Sequence, residues 1–371
     1  MQKLFFLWGV LLPIALHAGG LDSFLGEPAL EFTHVHKGGR FPNIVVAKDG
    51  GLLAFWGGVK LKRSSDGGIT WSDDILVGKG FMGGGVTVNE GNGEIFAFVE
   101  DRHPPAPVTV YRSQDHGKTW ASFDTKILPD SEGREPSMHM NEVGLTLQRG
   151  KYKGRLIRPS RYYAGQNDRS KWPQHFTNAI FSDDDGKTWK TSHPFPANGT
   201  GEATIVELAD GTIYYNSRRH WAEEGANPRR RWTAISKDGG QTWTDLTFCE
   251  ALPDGPQNTN YGLMAGLTRL PLRCKDILIY SSADSQSGRN NGTVWASFDA
   301  GKTWPIKRLV EPGSFAYSSL TSGRPGTPTE GWIYLHYETK GGSKVAKFNL
   351  SWVLKGEPTG NGSIPNQLSK P

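Results

Sequence analysis

An all-β chain folded as a six-bladed β-propeller is predicted from three observations. One eight-residue phrase is written five times, its copies are spaced like blades, and short strand-like runs alternate with Gly- and Asp-rich turns. The phrase, Ser-x-Asp-x-Gly-x-Thr-Trp, reads SSDGGITW at 64–71, SQDHGKTW at 113–120, SDDDGKTW at 182–189, SKDGGQTW at 236–243 and SFDAGKTW at 297–304. Its tryptophans fall 49, 69, 54 and 61 residues apart, as one blade plus a loop of variable length requires.

Each copy reads as a hairpin turn closed by its own hydrogen bonds. The Asp accepts from backbone N–H groups within the turn, and the Ser or Thr hydroxyl closes the other side. The Gly suits a left-handed backbone, and the Trp is a plate to wedge between sheets. Identical chemistry in five blades is what a fold needs and an asymmetric active site does not. Asp66, Asp115, Asp185, Asp238 and Asp299 are therefore expected to be structural. Each segment also holds too few spaced oxygen ligands for calcium.

In chain order, residues 1–18 read as a signal peptide: a short basic start, an apolar run from Leu4 to Leu16, and a small-residue exit near Ala18. The run is too short to span a bilayer, so a secreted or periplasmic protein without membrane insertion is expected. Residues 19–355 form the propeller. Strand-like runs lie at 44–47, 51–56, 95–99, 109–112, 203–208, 212–217, 278–281 and 293–297. The sixth blade carries no repeat and is built from 317–320, 331–338 and 344–350, closed by an N-terminal strand near 30–35. This order puts the repeated turns on the outer rim of one face and a ligand on the axis at the other. The tail at 356–371, rich in Gly, Pro, Asn and Ser, reads as disordered. A formal net charge of +5 suits an anionic ligand and does not argue for nucleic acid. The run Arg229, Arg230 and Arg231 reads as a solvated loop, and Cys249 and Cys274 either pair or stay as thiols.

Between the repeats the chain resembles the sialidase (neuraminidase) family. The carrying phrases are Arg40-Phe41-Pro42 followed by LLAF at 52–55, Glu202 followed by ATIVELADGTIYYNSR ending at Arg218, and GRNNGTVW containing Arg289. AYSSL at 316–320, Tyr337-Glu338 and GKYKGRLIRPSRYY at 150–163 are similar as well. The resemblance implies an exo-α-sialidase needing neither metal nor cofactor, with an acidic, sialoside-like glycan as substrate. It makes Tyr317 the nucleophile, Glu202 its base, Arg40, Arg218 and Arg289 a clamp on the sugar carboxylate, and Glu338 a residue that orients the clamp. The chemistry suits these side chains. Planar guanidinium forks match a carboxylate through charge-assisted bonds. A neutral phenol approaches an anomeric centre beside a carboxylate without the repulsion an Asp or Glu would meet. With a pKa near 10 it needs a carboxylate to take its proton.

The family's general acid, an Asp between LLAF and the first repeat, has no counterpart: residues 56–63 read WGGVKLKR, with no carboxylate. Asp101, in the equivalent second-blade loop, is the first candidate to replace it and Glu100 the next. His103 and the cluster Glu135, His139 and Glu142 follow. Arg219 and His220 read as ordinary loop residues. Two other functions fit the same scaffold: a hydrolase or lyase for another acidic glycan, and a glycan-binding propeller without turnover.

Overall fold

A computed structural model describes residues 20–80, 85–140, 142–223, 225–226, 228–254 and 262–368; the expected signal peptide at 1–18 lies outside the described residues. Six antiparallel sheets surround one axis. Blade 1 runs through Pro42–Val46, Leu52–Trp56, Lys60–Ser64 and Ile75–Leu76. Blade 2 holds Thr87–Val88, Ile95–Glu100, Val108–Ser113 and Ala121–Ser122. Blade 3 holds Leu145–Thr146, Leu156–Tyr162, Phe176–Ser182 and Thr188–Thr191, with Lys126–Ile127 added in parallel at its edge. Blade 4 is Ala203–Glu207, Ile213–Ser217, Arg230–Ser236 and Thr244–Pro253. Blade 5 is Gly266–Arg269, Leu278–Ala283, Asn290–Ser297 and Ile306–Ser314. The sixth blade joins both ends of the chain as expected: Ser318–Ser322, Ile333–Thr339 and Gly342–Phe348 are followed by the N-terminal Leu30–Lys37. Among the described residues no helix is long and apolar enough to cross a membrane.

Inner strands are covered on both faces and so read as near-continuous apolar runs, such as LLAFW at 52–56 and IFAFVE at 95–100. The third strand of blade 1, KLKRS at 60–64, buries only some positions and carries charge, whereas that of blade 3, FTNAIFS at 176–182, is buried throughout. The repeated turns work as read. Asp66 Oδ1 accepts from Thr70 N at 2.9 Å and from Ser64 Oγ at 2.8 Å, and Gly68 N donates to Ser64 Oγ at 2.8 Å. One assignment is corrected. In the third copy the carboxylate that closes the turn is Asp184, which accepts from Ser182 Oγ and Thr188 N, both at 2.8 Å. Asp185 occupies the next position, at φ 56°, and accepts instead from Asn89 Nδ2 at 2.8 Å.

Three of the repeat tryptophans pack on the blade before their own, while Trp243 and Trp304 meet Tyr215 and Tyr280 of their own blades at 4.5 and 6.1 Å. Trp120 meets Phe55 edge-on, Trp189 meets Phe96 and Phe98, and Trp71 closes the ring against Tyr334 of blade 6. At the axis Glu142 ties three blades together. It accepts from Asn43 Nδ2 and Ser319 Oγ at 2.9 Å and from Leu320 N at 3.0 Å.

The tail departs from expectation. Glu357–Pro358 adds a fifth strand to blade 5, Asn361 Oδ1 accepts from Trp304 N at 2.8 Å, and Leu368 is buried. Arg231, expected in solvent, is fully buried and bonds Asp254 at 3.0 Å and Asn216 Oδ1 at 2.7 Å. Cys249 and Cys274 are free thiols.

Candidate functional site

Chain direction alternates within each blade, so the start of its first strand, the end of its second and the start of its third share one face. The repeated turns follow third strands and lie on the opposite face. Tyr317 and Glu202 immediately precede first strands, Arg218 follows a second strand and Arg289 precedes a third. Arg40 stands two residues before Pro42–Val46, and Glu338 is near the end of Ile333–Thr339. Four blades therefore deliver six of the expected side chains to one face.

Five of them meet in a tight cluster. Tyr317 Oη donates to Glu202 Oε1 at 2.7 Å, and Arg218 Nη1 donates to Glu202 Oε2 while lying 3.4 Å from the phenol oxygen. The Arg289 and Arg40 guanidinium carbons stand 4.8 and 4.9 Å from the centre of the Tyr317 ring. Arg289 Nη2 donates to Gly262 O at 3.2 Å. Glu338 orients Arg40, accepting from its Nε and Nη2 at 3.2 Å each and from Phe41 N at 2.9 Å.

Electrostatics divide the pair cleanly. Burial pushes the Glu202 carboxyl up, but Arg218 and Arg161 outweigh burial and hold it below its ordinary 4.5. Burial and then the Glu202 charge lift the Tyr317 phenol above its ordinary 10. The resting state is a neutral phenol donating to an ionised carboxylate, poised for transfer of that proton.

Above the pair opens a recess of about 150 Å³ with a wall absent from the sequence reading. Arg161, at the end of Leu156–Tyr162, is only 2 % exposed, lies over the Tyr163 ring at 4.3 Å, and leaves Nε without a hydrogen-bond partner. Beside it stand His175, Trp172, Trp221 and His220. His220 thus lines the recess, contrary to its reading as an ordinary loop residue. Burial and Arg161 lower His175 to about 4, and burial with Arg218 and Arg161 puts His220 well below 6.5, so both are neutral. The one clue in sequence was the segment 150–163, whose last residues include Arg161 and Tyr163.

The expected acid is not delivered to this recess. Asp101 is exposed, its N–H bonds Pro107 O at 3.1 Å, and it is not among the lining residues. The loop turns its side chain to solvent. Glu100 points inward beneath the site and accepts from Ser137 Oγ at 2.7 Å; burial pushes its carboxyl up to about 7. Glu142 belongs to the axial closure described above, and Glu135 is exposed. A second recess, of about 400 Å³, opens on the face of the repeated turns. Its charges are mutually neutralised, as in Arg324 with Glu90 at 2.6 Å and Arg149 with Glu207 at 3.2 Å.

The family model described as a BNR repeat-like domain matches residues 57–328. A sialidase of Micromonospora viridifaciens is 32% identical over 355 residues, covering 85% of this chain and 52% of that protein. A sialidase of Bacteroides fragilis is 27% identical, covering 76% and 57%. The chain thus spans about half the length of these relatives. Among solved structures, the Hadza microbial sialidase Hz136 superposes with a TM-score of 0.65 at 22% identity, covering 85% of this chain and 66% of its own. A leech intramolecular trans-sialidase does so with 0.65 at 16% identity, covering 87% and 71%.

Proposed function

Because this chain belongs to the BNR repeat-like family and sets a buried phenol on a carboxylate among arginines, we propose that it is a retaining glycoside hydrolase of the exo-α-sialidase type. Its substrate is a terminal sialic acid, or a related 2-keto sugar acid, on a glycoconjugate. The observation that carries this reading is the 2.7 Å bond from Tyr317 Oη to Glu202, with Arg218 on the same carboxylate and Arg40 and Arg289 beside the ring.

Arg40, Arg218 and Arg289 hold the sugar carboxylate and so place the anomeric carbon over Tyr317. Glu202 takes the phenolic proton as the Tyr317 oxygen bonds that carbon and the glycosidic bond breaks. Positive charge developing on the ring is balanced by the adjacent carboxylate and the phenolate character of the nucleophile. Water then releases the sugar from Tyr317, and Glu202 returns the proton. Tyr nucleophiles are a recognised exception to the two-carboxylate scheme of glycosidases. Export, to the periplasm or the medium, is part of the proposal and is supported by the basic, apolar and small-residue pattern of 1–18.

The test is Tyr317→Phe assayed on a fluorogenic sialoside. Loss of at least ~10³-fold in kcat with unchanged thermal melting is expected, the scale on which removal of a nucleophile acts. Full turnover by the variant would refute the mechanism. The carboxylate-free loop at 56–63 favours a second reading, a binding propeller without turnover. Retention of sialic acid by the wild type with no sugar released would support it.

A further inference from the structure

Departure of the leaving group needs a proton that neither Tyr317 nor Glu202 can give, since both serve the attack. The attack comes from the buried floor, so the departing oxygen lies on the side of the mouth, where the rest of the glycan must reach solvent. Among the described residues lining the recess, the remaining side chains able to exchange a proton are Tyr163, His175, His220 and His103. The first three are buried. Burial raises the Tyr163 phenol far above 10, and the two buried histidines are held neutral by burial and neighbouring guanidiniums. His103 is the exposed one, on the second-blade loop two residues beyond Asp101.

We propose that His103 donates the proton to the leaving-group oxygen and takes one from water in the second step, replacing the acid missing from 56–63. The inference rests on the hydrolase reading above.

Local geometry suits a residue that must be stable in both protonation states. His103 Nδ1 lies 3.0 Å from Pro104 O and 3.2 Å from Asn167 Nδ2. Trp172 Nε1 donates to Asn167 Oδ1 at 2.8 Å, which turns the Asn167 amide nitrogen toward the imidazole. Nδ1–H donates to the Pro104 carbonyl in the charged ring and is kept in the neutral one. Nε2 is then the nitrogen that exchanges the proton. The rings of His139 and Tyr163 pack edge-on against His103 at 4.9 and 5.8 Å, and the carboxylate of Glu100 lies 3.8 Å behind His139. Burial and the Arg161 charge lower the His103 pKa from 6.5, while the Pro104 carbonyl opposes them. An incoming sugar carboxylate offsets the Arg161 charge.

The step balances. As the anomeric C–O bond breaks, its electron pair stays on the leaving oxygen, which takes the Nε2 proton; Tyr317 Oη bonds the carbon and passes its own proton to Glu202. In the second step water gives a proton to His103 and its oxygen to the carbon. The C–Oη bond breaks as the water oxygen bonds, its electron pair stays on Oη, and Tyr317 recovers its proton from Glu202.

The experiment compares His103→Gln and His103→Ala with wild type on two substrates: sialyllactose, whose alkoxide departs poorly, and a nitrophenyl sialoside, whose phenolate departs without help. A loss of about 10²–10⁴-fold is expected on sialyllactose and less than about 10-fold on the nitrophenyl substrate. The basic limb of the wild-type pH profile on sialyllactose should lie below 6.5 and vanish in both variants. Asp101→Asn should change neither rate. Equal losses on both substrates in folded variants, or a loss with Asp101→Asn matching that of His103, overturn the inference. A wild type inactive on both substrates defeats the hydrolase reading itself, which separates the two failures. If His103→Ala melts early, His103→Gln decides alone, because it keeps volume and a hydrogen-bonding side chain.

Discussion

Arg161 is the residue whose surroundings ask most of a ligand. A guanidinium buried to 2 % exposure with Nε unpaired is costly unless something in the recess accepts from it. It also lowers the Glu202 pKa, second among the charges to Arg218. Removing it in Arg161→Met should weaken binding of the sugar acid by roughly 10–100-fold. Its loss should also raise the Glu202 pKa. The acid limb of the rate profile, where Glu202 becomes protonated and can no longer act as base, then moves to higher pH. Binding calorimetry and a pH series check both. An unmoved acid limb with unchanged affinity would leave Arg161 a packing residue only. That Tyr317, Glu202, Arg40, Arg218 and Arg289 belong to one cluster was legible in the sequence because each stands in a distinctive phrase. Arg161, His175 and His220 were not: Arg161 and His175 are set side by side by the pairing of Tyr162 with Phe176 in blade 3, and His220 reaches them from the neighbouring blade 4.

Within the repeated turn, the sequence reading had the chemistry right and one address wrong. Among the consecutive aspartates at 183–185, counting two positions from Ser182 in the repeated phrase already gives Asp184, and the hydrogen bonds agree. Gly186 after it sits at φ 81°, and a Cβ there would come within 2.8 Å of the Phe96 ring on the preceding blade. The glycine therefore answers two demands, a left-handed backbone and a close approach between blades. Asp184→Ala should lose about 1–2 kcal/mol of stability by leaving turn N–H groups unpaired, as a lost helix cap does. Asp185→Asn should stay within about 0.5 kcal/mol. Urea unfolding of the two variants checks the order, and the reverse order would restore the original assignment.

Over the whole molecule, the absence of a repeat from the last blade was itself informative, since a blade shared between both chain ends has no room for one. The order of the tail was illegible for a physical reason. Gly, Pro and Asn look like disorder, yet one short edge pairing, one Asn side chain and one buried Leu fasten it to blade 5. Ring closure also explains how side chains from position 40 to position 317 reach one sugar-sized space. Trp71, Trp120 and Trp189 each fix their blade on the one before, and Glu142 draws blades 1, 3 and 6 together at the axis. The most direct measurement is mass spectrometry of the protein after brief reaction with a 3-fluorinated sialosyl fluoride, which slows release of a covalent sugar. A single added sugar acid on the peptide containing Tyr317, absent from Tyr317→Phe, is the predicted result. Turnover of the reagent with a label on another residue, or with none at all, would contradict it.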